Sequence, residues 1–169
     1  MKYIPLVLLS IAPFIINAEV TKQTANGFEI TNSVNVSADT SKSYQQFLKV
    51  GQWWHDSHTY SGQAANMTLD IESGCFCERW DNNVVHHMNI VMAQPNKQQV
   101  WRGGLGPLQT LAVSGTLTWQ LKAVDDKTTS VSYTYKVHGD IGDVKMWSKA
   151  VDGVLTQQLI RLQDRIQKL

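Results

Sequence analysis

This sequence has almost no excess of positive or negative charge, only two cysteines and few long apolar runs. Each of these features narrows the classes of function that the protein can have. The 169 residues include 15 Lys and Arg against 14 Asp and Glu. Lys2 is the one charged residue among the first eighteen, so the remainder carries fourteen charges of each sign. This balance argues against a nucleic-acid surface and against a polybasic membrane patch. We therefore expect a small or uncharged partner and no nucleic acid.

Only one long apolar run is present, and it lies at the start of the chain. It extends from Tyr3 to Ile16, and the small residue Ala18 follows where a signal peptidase cuts. Two prolines interrupt the run, which is too short for a comfortable membrane span. We expect residues 1–18 to be a signal peptide and residues 19–169 to form a single domain, periplasmic or secreted, with no membrane span.

Cys75 and Cys77 are the only cysteines. Residues i and i+2 of a strand share a face with Cα atoms about 6.5–7 Å apart, at the limit of disulfide geometry. A disulfide between them needs a local kink, and the alternative is two small, half-buried thiols. The strand register discussed below places His87 opposite Cys77 on the outer face, but the spacing matches no standard zinc pattern. We expect neither a metal site nor a cofactor.

The clearest periodic pattern runs from Asp143 to Lys168. Apolar residues recur every three or four positions, as they do on one face of an α-helix, and polar residues occupy the other face. The apolar stripe comprises Val144, Trp147, Val151, Val154, Leu155, Leu159, Leu162, Ile166 and Leu169. Gly153 interrupts this helix at a cost of about 1 kcal/mol, which suggests close packing against a strand or room for a ligand.

Alternating apolar and polar residues predict strands through most of the chain before this helix. The predicted strands cover 28–36, 67–71, 75–80, 84–93, 98–102, 113–121 and 131–137. A short helix is predicted over 40–49, and the aromatic stretch 52–62 is predicted to be a short helix or a loop. This order indicates an α+β fold in which one face of an antiparallel sheet packs against the C-terminal helix.

Four segments resemble a known superfamily: Trp53–Gly62, Gly74–Arg79, Gly106–Gly115 and Ala150–Thr156. They are similar to exported bacterial members of the START and Bet v 1 (SRPBCC) superfamily, which includes polyketide cyclases and homologues of the Hsp90 ATPase activator. The resemblance covers essentially all of residues 19–169. It implies a helix-grip fold, a curved antiparallel sheet of six to seven strands around a long C-terminal α-helix, with a deep apolar cavity. No nucleotide-binding glycine loop is present, so ATP hydrolysis is not expected.

The expected cavity between sheet and helix would hold a small apolar or amphipathic molecule. Its candidate ligand contacts are Trp53, Trp54, Tyr60, Met88, Leu117, Trp119, Tyr133, Tyr135 and Trp147. Tyr133, Tyr135, Glu78 or His86 would hold the polar end of the ligand. Small residues in place of Trp119 or Tyr135 are expected to weaken ligand uptake while the fold survives.

Glu78 and His86 are the candidate catalytic residues. If Asp81–Asn83 is a three-residue hairpin loop, Phe76 faces Met88 and Glu78 faces His86. Glu78 and His86 then lie opposite each other on the cavity face. A Glu–His pair in an apolar pocket either satisfies itself structurally or acts as an acid–base couple.

The sequence is compatible with three classes of function. The first is an exported binding protein for a small hydrophobic or amphipathic ligand. The second is a cyclase- or hydrolase-type enzyme that uses Glu78 and His86 as acid and base. The third is a periplasmic chaperone or assembly factor that binds its partner through an exposed aromatic loop.

Overall fold

Eight strands and one long helix make up most of the chain in the computed structural model, which describes residues 19–169. The strands are β1 (Glu19–Thr24), β2 (Gly27–Val36), β3 (Met67–Asp70), β4 (Cys75–Trp80), β5 (Asn83–Gln94), β6 (Gln98–Arg102), β7 (Ala112–Asp125) and β8 (Thr128–Asp140). The α-helices are α1 (Thr40–Phe47) and α2 (Val144–Gln167). Short 3-10 turns cover Val50–Gln52, Asp56–His58, Ala64–Asn66 and Gly106–Thr110. The expected signal peptide, residues 1–18, lies outside the described residues.

The strands form one curved antiparallel sheet in the order β1-β2-β8-β7-β6-β5-β4-β3. The first long strand, β2, pairs with the last strand, β8, along its whole length. The α+β helix-grip fold is therefore confirmed, with eight strands instead of six to seven. The additional strand is β1, which pairs with β2 at the edge of the sheet.

Helix α2 has the predicted bounds to within one residue, and its buried face follows the predicted apolar stripe except at Leu169, which lies beyond the helix and is 67% exposed. Asp143 caps its N-terminus, where the side chain accepts a hydrogen bond from the Met146 N–H at 2.9 Å. Its 24 residues span about 36 Å. The buried apolar residues of α2 are Val151, Leu155, Leu159, Leu162 and Ile166. The helix lies mainly against β2 and β1.

Gly153 does not pack against a strand. It lies on the exposed side of α2, and a Cβ atom at this position would meet no atom within 4 Å. The prediction of close packing at Gly153 is therefore wrong.

Aromatic rings fill the space between the sheet and α1. The ring of Trp119 lies 5.4 Å from that of Phe47 and 5.4 Å from that of Tyr133, measured between centroids. Trp53 and Trp101 each lie 6.0 Å from Trp119. All five side chains are almost completely buried. At this place the expected deep cavity is a packed core.

Among residues 19–169, no helix combines the length and the apolar character needed to cross a membrane.

Candidate functional site

The β4–β5 hairpin turns with two residues where the sequence analysis predicted three. The loop is Asp81-Asn82, and Asp81 adopts a φ of +47°. Aspartate tolerates this left-handed conformation better than most residues. Glu78 consequently lies opposite Val85, and the predicted pairing of Glu78 with His86 is wrong.

A β-bulge in β5 compensates for the shorter loop. Cys77 pairs with His86 and Phe76 pairs with Met88, so His87 is the additional residue. The bulge buries both His87 and Met88, which are 3% and 1% exposed, while His86 is exposed on the outer face. The expected pairing of Phe76 with Met88 is thus confirmed, whereas the expected placement of His87 on the outer face is wrong.

The carbonyl groups at the bulge are bound by the 3-10 turn Gly106–Thr110. The Gln109 side-chain amide donates hydrogen bonds to the carbonyl oxygens of His86 and His87, at 2.7 and 2.9 Å. This turn is therefore attached to β5 at the position of the additional residue.

The glycine-rich loop 103–107 is fixed at its start by Tyr135. The Tyr135 hydroxyl donates to the Gly103 carbonyl at 3.0 Å and accepts from the Leu105 N–H at 3.0 Å. Burial raises the pKa of Tyr135 to about 12, so the hydroxyl keeps its proton at neutral pH. A side chain of β8 thus fixes the position of Leu105.

Glu78 is fully buried, and its carboxylate accepts three hydrogen bonds. The donors are Nε2 of His87 at 3.0 Å, the Tyr60 N–H at 3.0 Å and the Ser61 N–H at 2.5 Å. Burial disfavours the ionised form, but the hydrogen bonds from Ser61, Tyr60 and His87 outweigh it and hold the pKa of Glu78 below its usual value. Burial also lowers the pKa of His87, against the opposing effect of Glu78. Near neutral pH the pair is a carboxylate and a neutral imidazole.

The aromatic segment, residues 53–62, lies along α2 and is attached to it by side chains of that helix. Arg161 donates from Nε to the Trp53 carbonyl at 2.8 Å. His58 Nε2 and Gln157 Oε1 are 2.8 Å apart. Together with the Glu78 contacts, these bonds hold the segment between α2 and β4.

An apolar cavity of about 230 Å³ opens between the aromatic segment, the glycine-rich loop and α2. It is lined by Trp54, Ser57, His58, Thr59, Tyr60, His87, Leu105, Gly106, Pro107 and Val154. No Lys, Arg, Asp or Glu is among these lining residues. Pockets for drug-sized ligands usually measure about 300–1,000 Å³, so this cavity suits a small molecule or one end of a larger one.

Two of the nine expected ligand contacts, Trp54 and Tyr60, line this cavity. Six others are core residues that are at most 1% exposed: Trp53, Met88, Leu117, Trp119, Tyr133 and Tyr135. Trp147 is half-buried near the start of α2 and packs against the core. Ligand contact by these seven residues stays a prediction, since in this structure they serve as packing.

The polar groups expected to hold a ligand are occupied elsewhere. The hydroxyls of Tyr133 and Tyr135 bond to α2 and to the glycine-rich loop, Glu78 bonds to the aromatic segment, and His86 lies outside. His87 is the histidine that borders both Glu78 and the cavity, a position that strand alternation assigned to His86. Two-residue loops are the commonest in hairpins. A two-residue loop at Asp81-Asn82 was therefore the signal in the sequence that could have indicated the correct register.

Cys75 and Cys77 are joined by a disulfide on the face of β4 opposite to Phe76, and both cysteines are buried. Their Cα atoms are 5.3 Å apart, less than in a regular strand, so the required kink is present beside the bulge. The sulfurs and an imidazole nitrogen of His86 lie within 4.8 Å of one another. Because cysteine binds metals as the thiolate, the disulfide form leaves only His86 as a ligand in this group.

Comparison with known proteins identifies solved structures with this fold, while no protein-family model and no curated protein sequence matches the chain. CalC, a self-sacrificing resistance protein from Micromonospora echinospora, is 21% identical with a TM-score of 0.60, covering 83% of this chain and 94% of CalC. An uncharacterised Bacillus thuringiensis protein is 12% identical with a TM-score of 0.58, covering 82% and 98%. A conserved protein of unknown function from Enterococcus faecalis is 11% identical with a TM-score of 0.55, covering 88% and 74%.

These likenesses establish the fold alone, because every identity is below 25%. They agree with the Bet v 1-like architecture expected from the four sequence segments. The narrower relationship to polyketide cyclases and to Hsp90 activator homologues stays a prediction.

Proposed function

We propose that this protein binds a small apolar or amphipathic molecule in the cavity beside His87. The observation that supports it is the cavity itself, about 230 Å³ of mostly apolar space with one buried, neutral imidazole in its wall. Burial of apolar ligand surface would stabilise the complex by about 25 cal/mol per Å². The proposed site lies between the aromatic segment and the glycine-rich loop, because aromatic side chains fill the space near α1.

A bulky substitution on α2 tests whether the ligand binds in this cavity. Val154→Phe adds a ring to the cavity wall, and Val124→Phe adds the same ring at a position that is 58% exposed. The probe is indole, followed by isothermal titration calorimetry. We expect the wild type and Val124→Phe to bind indole equally and Val154→Phe to bind it at least about tenfold more weakly, because the ring occupies the ligand space.

Two outcomes contradict this proposal. Wild-type affinity in a correctly folded Val154→Phe variant would move the ligand away from this cavity. Absence of indole binding, together with no co-purifying small molecule in native mass spectra of protein from its natural host, would remove the binding function.

We also propose that the protein acts after export, in the periplasm or outside the cell. The signal-like residues 1–18 support this, and the Cys75–Cys77 disulfide suits an oxidising compartment. Intact-mass measurement of protein from its natural host should show a chain that begins at Glu19 with both cysteines oxidised. A full-length, reduced chain would contradict export.

Acid–base catalysis on a molecule bound in this cavity is a second candidate, favoured by the Glu78–His87 hydrogen bond. A carboxylate that orients a neutral imidazole is a recurrent arrangement for a general base. In such an enzyme of the cyclase or hydrolase type, His87 takes the role that the sequence analysis gave to His86. If the bound molecule is turned over by His86→Gln but not by His87→Gln, catalysis by His87 is supported. Equal turnover of that molecule by both variants would exclude it.

The chaperone alternative depended on exposed aromatic residues in the loop. Trp53 and Trp54 are 1% and 2% exposed, and Tyr60 alone among the three is exposed. No observation therefore favours the chaperone alternative over the other two.

A further inference from the structure

We infer that His87 selects neutral ligands that carry a hydrogen-bond donor, an N–H or O–H group, over equally apolar ligands that lack one. This inference rests on the proposed function, because it concerns the same cavity. It follows from the position of the imidazole proton, the lack of a protein partner for the other ring nitrogen, and the uncharged walls.

The hydrogen bond with Glu78 fixes which nitrogen of His87 carries the proton. Nε2 lies 3.0 Å from Oε2 of Glu78, and an ionised carboxylate only accepts hydrogen bonds. Nε2 must therefore be the N–H of the neutral ring. Nδ1 then carries a lone pair and can only accept.

The surroundings of Glu78 prevent the reverse arrangement. Its two oxygens also accept from the backbone N–H groups of Tyr60 and Ser61, and a backbone N–H cannot become an acceptor. The carboxylate is thus surrounded by donors, which stabilise its ionised form. The tautomer of His87 is fixed by two backbone groups that side-chain substitutions do not remove.

The accepting nitrogen belongs to a ring in the cavity wall. The imidazole lies between Phe76, at 5.1 Å between centroids, and Tyr60, at 5.8 Å. Within residues 19–169 its one protein hydrogen bond is that to Glu78. A ligand N–H or O–H would therefore supply the bond that Nδ1 lacks and strengthen binding by about two- to tenfold.

The remaining walls disfavour charged ligands. Val154 of α2, Leu105 and Pro107 are apolar, and Nε2 of His58 is occupied by Gln157. The cavity lining offers no cation that could compensate a buried carboxylate or phosphate. A neutral donor is the ligand type that these groups satisfy.

Indole and 1-methylindole provide the test, because methylation removes the only donor and neither molecule ionises near neutral pH. Isothermal titration calorimetry should show the wild type binding indole about two- to tenfold more tightly than 1-methylindole at pH 7.5. In His87→Gln the amide nitrogen can still donate to Glu78, and this pairing directs the carbonyl oxygen away from the Nδ1 position, so no acceptor remains there. We expect the two affinities to converge within about twofold in this variant.

His86→Gln is the matched control, since it makes the same change at the neighbouring histidine on the outer face. His86→Gln should keep the preference of the wild type for indole over 1-methylindole. Equal affinities in the wild type, or an unchanged preference in a folded His87→Gln, would overturn the selection by His87 while leaving ligand binding in place. Failure of both probes to bind the wild type, together with no co-purifying small molecule in native mass spectra, would instead refute the proposed function.

A pH series gives a second measurement that needs no variant. The titratable groups around His87 are Glu78 of β4, Tyr60 and His58 of the aromatic segment, and His86 of its own strand. Protonation turns Nδ1 into a donor, so the preference for indole should disappear as the pH falls through the pKa of His87, which burial lowers below the ordinary value of 6.5. A preference that persists in the folded protein at a pH where NMR shows the His87 imidazole to be protonated would contradict the inference.

Discussion

Glu78 of β4 links the aromatic segment to β5 through hydrogen bonds of its carboxylate. Its carboxylate binds the aromatic segment through two backbone N–H groups and β5 through His87. A buried carboxylate is stable only with such a set of donors. The side chain therefore holds one wall of the proposed cavity in place.

This arrangement predicts a loss of stability in acid. The pKa of Glu78 is lowered on folding from its ordinary value of 4.5. Its contribution to the free energy of unfolding is therefore complete above pH 4.5 and is lost as the pH falls through the lowered pKa. The pKa of His87 is also lowered on folding, so below pH 6.5 the unfolded chain binds a proton at this histidine more readily than the folded chain does. The free energy of unfolding therefore also decreases as the pH falls. Both groups thus favour the folded state at neutral pH.

Glu78→Gln should lower the free energy of unfolding by about 2 kcal/mol at pH 7 and flatten its decline below pH 4.5, because charge-assisted hydrogen bonds are lost. Urea unfolding at several pH values measures both effects. Glu72→Gln, at an exposed turn position, is the control and should change little. Identical curves for the two variants would show that the Glu78 contacts do not stabilise the fold.

Tyr135→Phe should destabilise the protein by about 1–3 kcal/mol and weaken indole binding, because the Leu105 N–H and the Gly103 carbonyl lose their partner. Tyr133→Phe is the control, since its hydroxyl bonds to Thr156 and not to the loop. Chemical unfolding and calorimetry report the two effects separately. Indole affinity that is unchanged in Tyr135→Phe would mean that this anchor does not shape the cavity.

Individual site residues could be predicted from the sequence only in part. The inward position of Glu78 followed from strand alternation, and the aromatic segment stood out by composition. The identity of its partner histidine depended on moving one residue from the hairpin loop to a bulge, a shift that leaves the pairing of Phe76 with Met88 unchanged. Alternation cannot distinguish these two arrangements, because the three-residue loop turns Val84 inward, the two-residue loop turns Val85 inward, and Met88 lies inside in both.

At the level of elements, the sequence predicted most of the fold because its periodic patterns are long. The bounds of α2 and β6 agree with those expected to within one residue. Strand β1 was missed because EVTKQT contains a single apolar residue, and its backbone pairing with β2 leaves no periodic signal. Edge strands of this kind are formed by hydrogen bonding to a neighbour more than by burial.

Two glycines should respond to the same substitution with opposite signs. Gly153→Ala should stabilise α2 by about 0.5–1 kcal/mol, since alanine favours helix and the added methyl group meets open space. Gly115→Ala should destabilise the protein, because its Cβ would lie 2.7 Å from the Tyr135 hydroxyl and would contact the Gly103 carbonyl. Thermal and urea unfolding of both variants measure the signs, and a destabilised Gly153→Ala would reveal an unrecognised contact on α2.

At the level of the whole molecule, the main surprise is how completely the interior is packed. The sequence indicated which residues face inward, but alternation does not show how their volumes fill the space between layers. The many bulky inward residues led us to expect a deep cavity. Their rings instead pack against one another, and the apolar cavity lies beside the aromatic segment.

Trp119→Ala should therefore cost stability before it changes any ligand contact. The side chain is fully buried among four aromatic rings, and its loss should lower the free energy of unfolding by about 3–5 kcal/mol. This replaces the expectation that the fold survives such a change. Urea unfolding measures the effect, with Val124→Ala at an exposed position as control. A loss below 1 kcal/mol would indicate an interior that is looser than this packing.

Methyl NMR of the protein titrated with indole tests the position of the binding site most directly. Leu105 and Val154 line the proposed cavity, whereas Leu117 and Leu159 lie in the packed core. We predict that the methyl signals of Leu105 and Val154 shift in a saturable manner while those of Leu117 and Leu159 stay in place. Shifts confined to the core leucines, or no shift at any of the four, would contradict a binding site beside His87.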